Sequence, residues 1–321
     1  MPGLQTDLTR LLGIDHPILL APMGSAAGGA LAAAVGRAGG LGFIGSGYAD
    51  RDTITRELRE AGNTRVGIGL IGWALDKNPD VLDTALEAGP PAVLLSFNDP
   101  TPYVDKIKTA GATVICQVQS LAQAKVAAAA GVDVIVAQGR DAGGHSGTMR
   151  GTIGLVPAIV DAVGRVPVVA AGGIADGRGL AAALSLGASG VLMGTRFATS
   201  TESLWDEGMK TRVFEGASDD TAQTRVFDIV RNAPWPSHYP GRALRNEFFD
   251  RWDGDVEGLV EDREQVEQTY LATKSDDFTN RVVWAGEGTD LISGTLSAEQ
   301  IIQDVVAEAV AEISRISGLV R

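Results

Sequence analysis

The chain has 321 residues, 45% hydrophobic and 21% charged, a balance ordinary for a soluble globular protein with a sizeable core. Its formal net charge of −13 excludes the basic surface a nucleic-acid partner would need. One cysteine, Cys116, cannot form an internal disulfide, and three scattered histidines offer no zinc-ligand spacing, so disulfide scaffolds and metal sites are set aside.

At the N-terminus, MPGLQTDLTR has no apolar run after a basic one and is no signal peptide, so a cytoplasmic location is expected. The uncharged stretch 18–36 approaches the length of a bilayer span, but Pro22 and the turn-like PMGSAAGG break it into strand, loop and small-residue helix, with no membrane role expected. Cys116 lies inside an apolar run and reads as a small buried hydrophobe.

One unit then recurs: an Ala-rich helical pattern ends in glycine and a short β-branched run follows. Its endings are RAGGLGFIGS (37–46), EAGPPAVLLSF (87–97), TAGATVICQV (109–118), AAGVDVIVAQ (129–138) and LGASGVLMGT (186–195). Apolar runs predict eight strands, near 17–21, 41–45, 65–70, 92–96, 113–118, 133–137, 167–171 and 190–194. Helical patterns separate them near 29–38, 52–61, 79–88, 102–110, 120–130, 154–164 and 176–186. Eight strands alternating with helices predict a (β/α)8 TIM barrel, with an open doubly wound sheet as the alternative, because strand count alone does not show closure.

Beyond the eighth strand the rhythm breaks. Residues 203–281 are acidic and aromatic and lack β-branched runs, which predicts a smaller, mainly helical insertion or lid. The barrel domain is expected to comprise 1–202 and 282–321, closed by an amphipathic helix over 297–316.

Barrel chemistry belongs to the loops that follow the strands. That rule selects His145, in VAQGRDAGGHSG after strand six, over His16, in a turn before strand one, and His238, in a Pro-rich loop. Glycines on both sides of His145 suggest close approach of something to the backbone. Two further clusters share this rim, AAGGIADGRG (170–179) and MGTRF (193–197), where barrels commonly bind phosphate; Gly172, Gly173, Gly194 and Thr195 are the candidates. The stretch GIGLIG (67–72) fits a dinucleotide fingerprint by letter, but it lies within strand three and the next helix is expected only near Asn78. Gly67 and Gly69 are instead expected to leave room inside the barrel for a bulky ligand.

HPILLAPMG, AQGRDAGGHSG, PVVAAGGIADGRGLAAALSLGASGVLMGTRF and GRALRN together resemble the nitronate monooxygenase family, formerly called 2-nitropropane dioxygenases. The resemblance implies a barrel holding non-covalent FMN, with the insertion closing over the flavin. By the same resemblance Pro22, Met23 and Gly24 lie against the flavin ring and Gln138 and Gly143 contact it or the ribityl chain. Gly172, Gly173, Gly194 and Thr195 hold the phosphate, and His145 is the active-site histidine. The implied reaction oxidises an alkyl nitronate with O2 to a carbonyl compound and nitrite. The same barrel serves NAD(P)H-dependent quinone and enoyl-acyl-carrier-protein reductases, and a phosphoryl-ligand binding module is the non-enzymatic alternative. A homo-oligomer is compatible with the sequence. The chain departs from the family at Gly69, where many members carry Asn, at Arg140 and Asp141, and over 284–292, which should line the substrate side.

Overall fold

The computed structural model describes residues 3–320. Its main sheet is built from β1 (Ile18–Leu20), β2 (Phe43–Gly45), β3 (Gly67–Ile71), β4 (Ala92–Ser96), β5 (Thr113–Val118) and β6 (Val134–Gln138). After the two-residue β7 (Gly144–His145), β8 (Val168–Ala171) and β9 (Gly190–Met193) complete it. All neighbours are parallel, in the order β1-β9-β8-β6-β5-β4-β3-β2. The ends of that order meet: Leu19 bridges Leu41, Leu41 N–H donates to Ile18 O at 3.2 Å, and Leu20 N–H donates to Leu41 O at 3.0 Å. The ring is closed, so the fold is a TIM barrel and the open sheet is set aside.

Strand alternation divides the apolar residues between two cores. Leu19, Phe43, Leu94, Ile115, Val136, Val169 and Leu192 fill the barrel, while Leu20, Ile44, Leu95, Cys116, Ile135, Ala170 and Val191 face the surrounding helices. A helix that the sequence pattern does not announce, Asp7–Leu12, contributes Leu8 and Leu12 to the inner core. The last helix, Ala298–Ser317, packs on Gly177–Ser185, where Gly177 N–H donates to Glu308 Oε2 at 2.7 Å.

Two sequence expectations need correction. Gly67 does not line the cavity, and Gly69, which does, is required first by the packing of the chain: a Cβ on Gly67 would lie 2.4 Å from the Phe43 ring, and one on Gly69 would lie 2.1 Å from Pro22 Cβ. The glycines accommodate the protein's own rings. The helix after β3 also starts earlier than Asn78, with a short turn of helix over Gly72–Leu75.

Between β9 and the last helix lie short helices at Glu207–Glu215, Val226–Val230, Glu247–Trp252, Val256–Glu261 and Arg263–Leu271. They are joined by two strands not anticipated from sequence, β10 (Thr221–Thr224) and β11 (Gly241–Leu244). These pair antiparallel with each other, and β11 pairs with β7 through Gly241 opposite His145 and Arg242 opposite Gly144. The inserted segment is therefore stitched by backbone to the loop that carries His145. Phe227, Val230, Phe248, Phe249 and Trp252 give it an apolar core of its own.

Candidate active site

A cavity of about 440 Å³ opens at the C-terminal ends of the strands. All ten residues singled out from sequence line it: Pro22, Met23, Gly24, Gln138, Gly143, His145, Gly172, Gly173, Gly194 and Thr195. After β1, Met23 O accepts from the N–H groups of Ala26 (3.0 Å) and Ala27 (2.7 Å), a tight turn that holds Pro22–Gly24 at the cavity wall. After β8, Gly172 (φ +109°) and Gly173 (φ +68°) take left-handed conformations that favour glycine. After β9, Thr195 Oγ1 accepts from Gly286 N–H at 3.1 Å, tying this strand end to segment 284–292.

The exit of β6 is the most constrained. Gln138 Oε1 accepts from Gln117 Nε2 (3.1 Å) and Gln119 Nε2 (2.9 Å), while its Nε2 donates to the carbonyl of His145 at 3.0 Å. Gly143 sits where any side chain would collide, its Cβ position being 2.6 Å from Gly286 N.

His145 is held at its edge and its face. Nε2 lies 2.8 Å from Asp228 Oδ2, and the other carboxylate oxygen accepts from Arg231 Nη2 at 3.2 Å. Trp235 stacks on the imidazole with centroids 3.5 Å apart and planes 7° from parallel, and Trp284 stands 5.2 Å away. Burial pushes the imidazole pKa below its usual 6.5; the hydrogen bond and charge of Asp228 act the other way, and Arg231 reinforces the burial effect. The ring is thus uncharged near neutrality and able to take a proton.

Sequence reasoning does not mark Asp228, Arg231 or Trp235, and reaches Trp284 only as part of the segment 284–292 expected on the substrate side. The first three come from the inserted segment, 83 residues beyond His145 in the case of Asp228. The only local signal is the composition of NAPWPSHYPGR, a Trp between two prolines. Segment 284–292 does reach the cavity, through Trp284, Gly286 and Gly288. Arg242 fastens it: the buried guanidinium donates to Arg140 O and Thr221 Oγ1, each at 3.1 Å, and pairs with Glu287 at 2.8 Å. Among the described residues no cluster of His, Cys, Asp and Glu could hold a metal ion, and no helix is long and apolar enough to cross a membrane.

The nitronate monooxygenase sequence profile matches residues 5–67 and 74–308. The chain belongs to the nitronate monooxygenase family. Nitronate monooxygenase from Neurospora crassa is 34% identical over 98% of this chain and 96% of its own length. A (3aS,4S,5R,7aS)-5-hydroxy-7a-methyl-1-oxo-octahydro-1H-indene-4-carboxyl-CoA dehydrogenase from Mycobacterium tuberculosis is also 34% identical, over 77% of this chain and 68% of that protein. Among solved structures, FabK from Thermotoga maritima is similar with a TM-score of 0.85 and 33% identity, covering 99% of this chain and 100% of that one. Nitroalkane oxidase from Streptomyces ansochromogenes gives 0.78 and 26%, covering 96% and 99%. Membership makes this nitronate monooxygenase family chain an oxidoreductase of a flavin-dependent family.

Proposed function

We propose that the protein oxidises alkyl nitronates with O2 to carbonyl compounds and nitrite, using non-covalent FMN, in the cytoplasm. The observation that carries this reading is a buried imidazole, His145, held over a cavity whose walls are glycine-rich strand exits. The cavity wall combines glycines and apolar side chains with a few polar groups, among them Gln138, His145 and Thr195, a lining that suits a largely planar ligand with a polar edge. Gly172 and Gly173 leave their backbone open to an anion, so with Gly194 and Thr195 they would hold the phosphate. Pro22, Met23 and Gly24 would lie against the flavin ring, and Gln138 and Gly143 would contact it or the ribityl chain.

FMN held by these residues would supply the redox chemistry that the side chains lack. The chain supplies position and proton control. His145 accepts a proton when neutral and donates a hydrogen bond to a nitronate oxygen when protonated, and an arriving anion favours the protonated form. Trp235 and Trp284 cover the ring and limit water around it.

The likeness to FabK and to the CoA dehydrogenase supports a second reading, an NAD(P)H-dependent flavin reductase of quinone or enoyl-acyl-carrier-protein type. Anaerobic titration of the flavin-loaded protein separates the two. Bleaching of the visible flavin bands by propyl nitronate but not NADH is expected; rapid bleaching by NADH alone would replace the first reading with the second.

A further inference from the structure

We propose that Asp228 is a positioning residue that fixes His145 in the neutral tautomer carrying its proton on Nε2, so that Nδ1 is the basic nitrogen presented to the cavity. A carboxylate only accepts hydrogen bonds, so a neutral imidazole 2.8 Å from Asp228 Oδ2 must place its hydrogen on the facing Nε2. Nδ1 has no hydrogen-bond partner among the described residues, yet it is absent from the sealed, unsatisfied atoms of the interior. It therefore retains access to the cavity that His145 lines.

The other contacts stop the ring from turning over. Pairing of β7 with β11 and the Gln138 side chain hold the His145 backbone, Trp235 lies flat on the ring, and Arg231 engages the second oxygen of Asp228. Side chains of the inserted segment thus hold a barrel side chain at edge and face. When Nδ1 takes up a proton, the ring becomes an imidazolium whose charge Asp228 balances, and its new Nδ1–H can donate to an oxygen of an anionic nitronate. The charged groups facing the ring are Asp228, which favours the protonated form, and Arg231, which opposes it; Trp235, Trp284 and Gln138 carry no charge.

The proposal rests on His145 working in this cavity, and its test does not depend on which substrate is oxidised. Nitrogen-15 NMR of flavin-loaded protein labelled at its three histidines reads the tautomer directly. A protonated Nε2 and bare Nδ1 are expected for His145; the reverse assignment in the wild type overturns the proposal without any variant. In Asp228→Asn the favourable carboxylate is lost while burial and Arg231 remain. The bend in the pH profile of kcat/KM is then expected at lower pH, with mixed tautomer signals, unchanged flavin content and kcat/KM down roughly 10- to 100-fold. Asp228→Glu should restore part of each. An Asp228→Asn protein with the wild-type bend and a single His145 tautomer would overturn the assignment. Bleaching by NADH rather than nitronate overturns only the proposed reaction.

Discussion

Trp235 lies on His145 as one flat ring on another, 3.5 Å between centroids and 7° between planes, although the two residues belong to different parts of the chain. The indole also meets Trp73 at 5.3 Å and Phe97 at 5.0 Å, both edge-on, so it is wedged rather than free. Its main chemical effect is to keep water off the imidazole, and burial is the largest cause of the lowered His145 pKa. Trp235→Ala readmits water, and the charged form becomes less costly. The pKa should rise toward 6.5, moving the bend in the kcat/KM profile to higher pH, opposite to the shift expected for Asp228→Asn. A bend that stays in place or moves down would show that the stack does not control the ionisation.

His145→Ala separates chemistry from cofactor retention. The phosphate and ring contacts assigned above come mostly from backbone and small residues on other strand exits, so flavin content should match the wild type. Turnover of propyl nitronate should fall by roughly 10²- to 10⁴-fold, the usual contribution of a positioned acid–base group. Flavin content from the visible spectrum and oxygen consumption measure the two separately. Undiminished oxygen consumption would remove His145 from the reaction.

The barrel and its rim were legible because they rest on local rules. Glycine at helix ends, β-branched runs and the placement of chemistry after strands select His145, Gly172, Gly173, Gly194 and Thr195 without any knowledge of tertiary contacts, whereas Pro22, Met23, Gly24, Gln138 and Gly143 come from the family resemblance; all ten line one cavity. The partners of His145 are different in kind. Asp228 and Trp235 reach it only because β11 pairs with β7, and neither TAQT nor GRAL has the composition of a strand. GRAL pairs within the insertion with TAQT, but its second partner, Gly144–His145, lies about a hundred residues away, beyond any pattern within the insertion.

Cys116 tests the reading of the core. The thiol faces the helical layer with 0% exposure, and burial, followed by the charge of Asp99, pushes its pKa up to about 12. The reactive thiolate is therefore scarce at ordinary pH, and reagents have no path to it. Folded protein at pH 8 should not react with a disulfide reagent such as DTNB, and full release of one equivalent should appear only in denaturant. Rapid labelling of the folded protein would mean that β5 and its helix layer open far more readily than this packing implies.

Gly69 and Gly143 are both crowded, but they predict different failures. Gly69→Asn, which introduces the residue expected there from the family resemblance, would drive a side chain into Pro22, whose Cβ lies 2.1 Å from the new Cβ position. Overpacking of this kind costs about 1–3 kcal/mol, so Tm should fall. In Gly143→Ala the new methyl would sit 2.6 Å from Gly286 N and 2.7 Å from the Ala285 carbonyl carbon, both backbone atoms that cannot swing aside. Segment 284–292 must then lift from the β6 exit, weakening the bonds Glu287 N–H to Asp141 O (2.9 Å) and Gly286 N–H to Thr195 Oγ1 (3.1 Å). The expected result is a cavity that leaks: flavin lost on dialysis and turnover reduced, with a smaller change in Tm than Gly69→Asn because the segment lies over the barrel and not inside it. Dialysis followed by absorbance at the flavin band, beside a thermal melt, distinguishes the two, and a Gly143→Ala protein that keeps its flavin and its turnover would show that this contact does not seal the site.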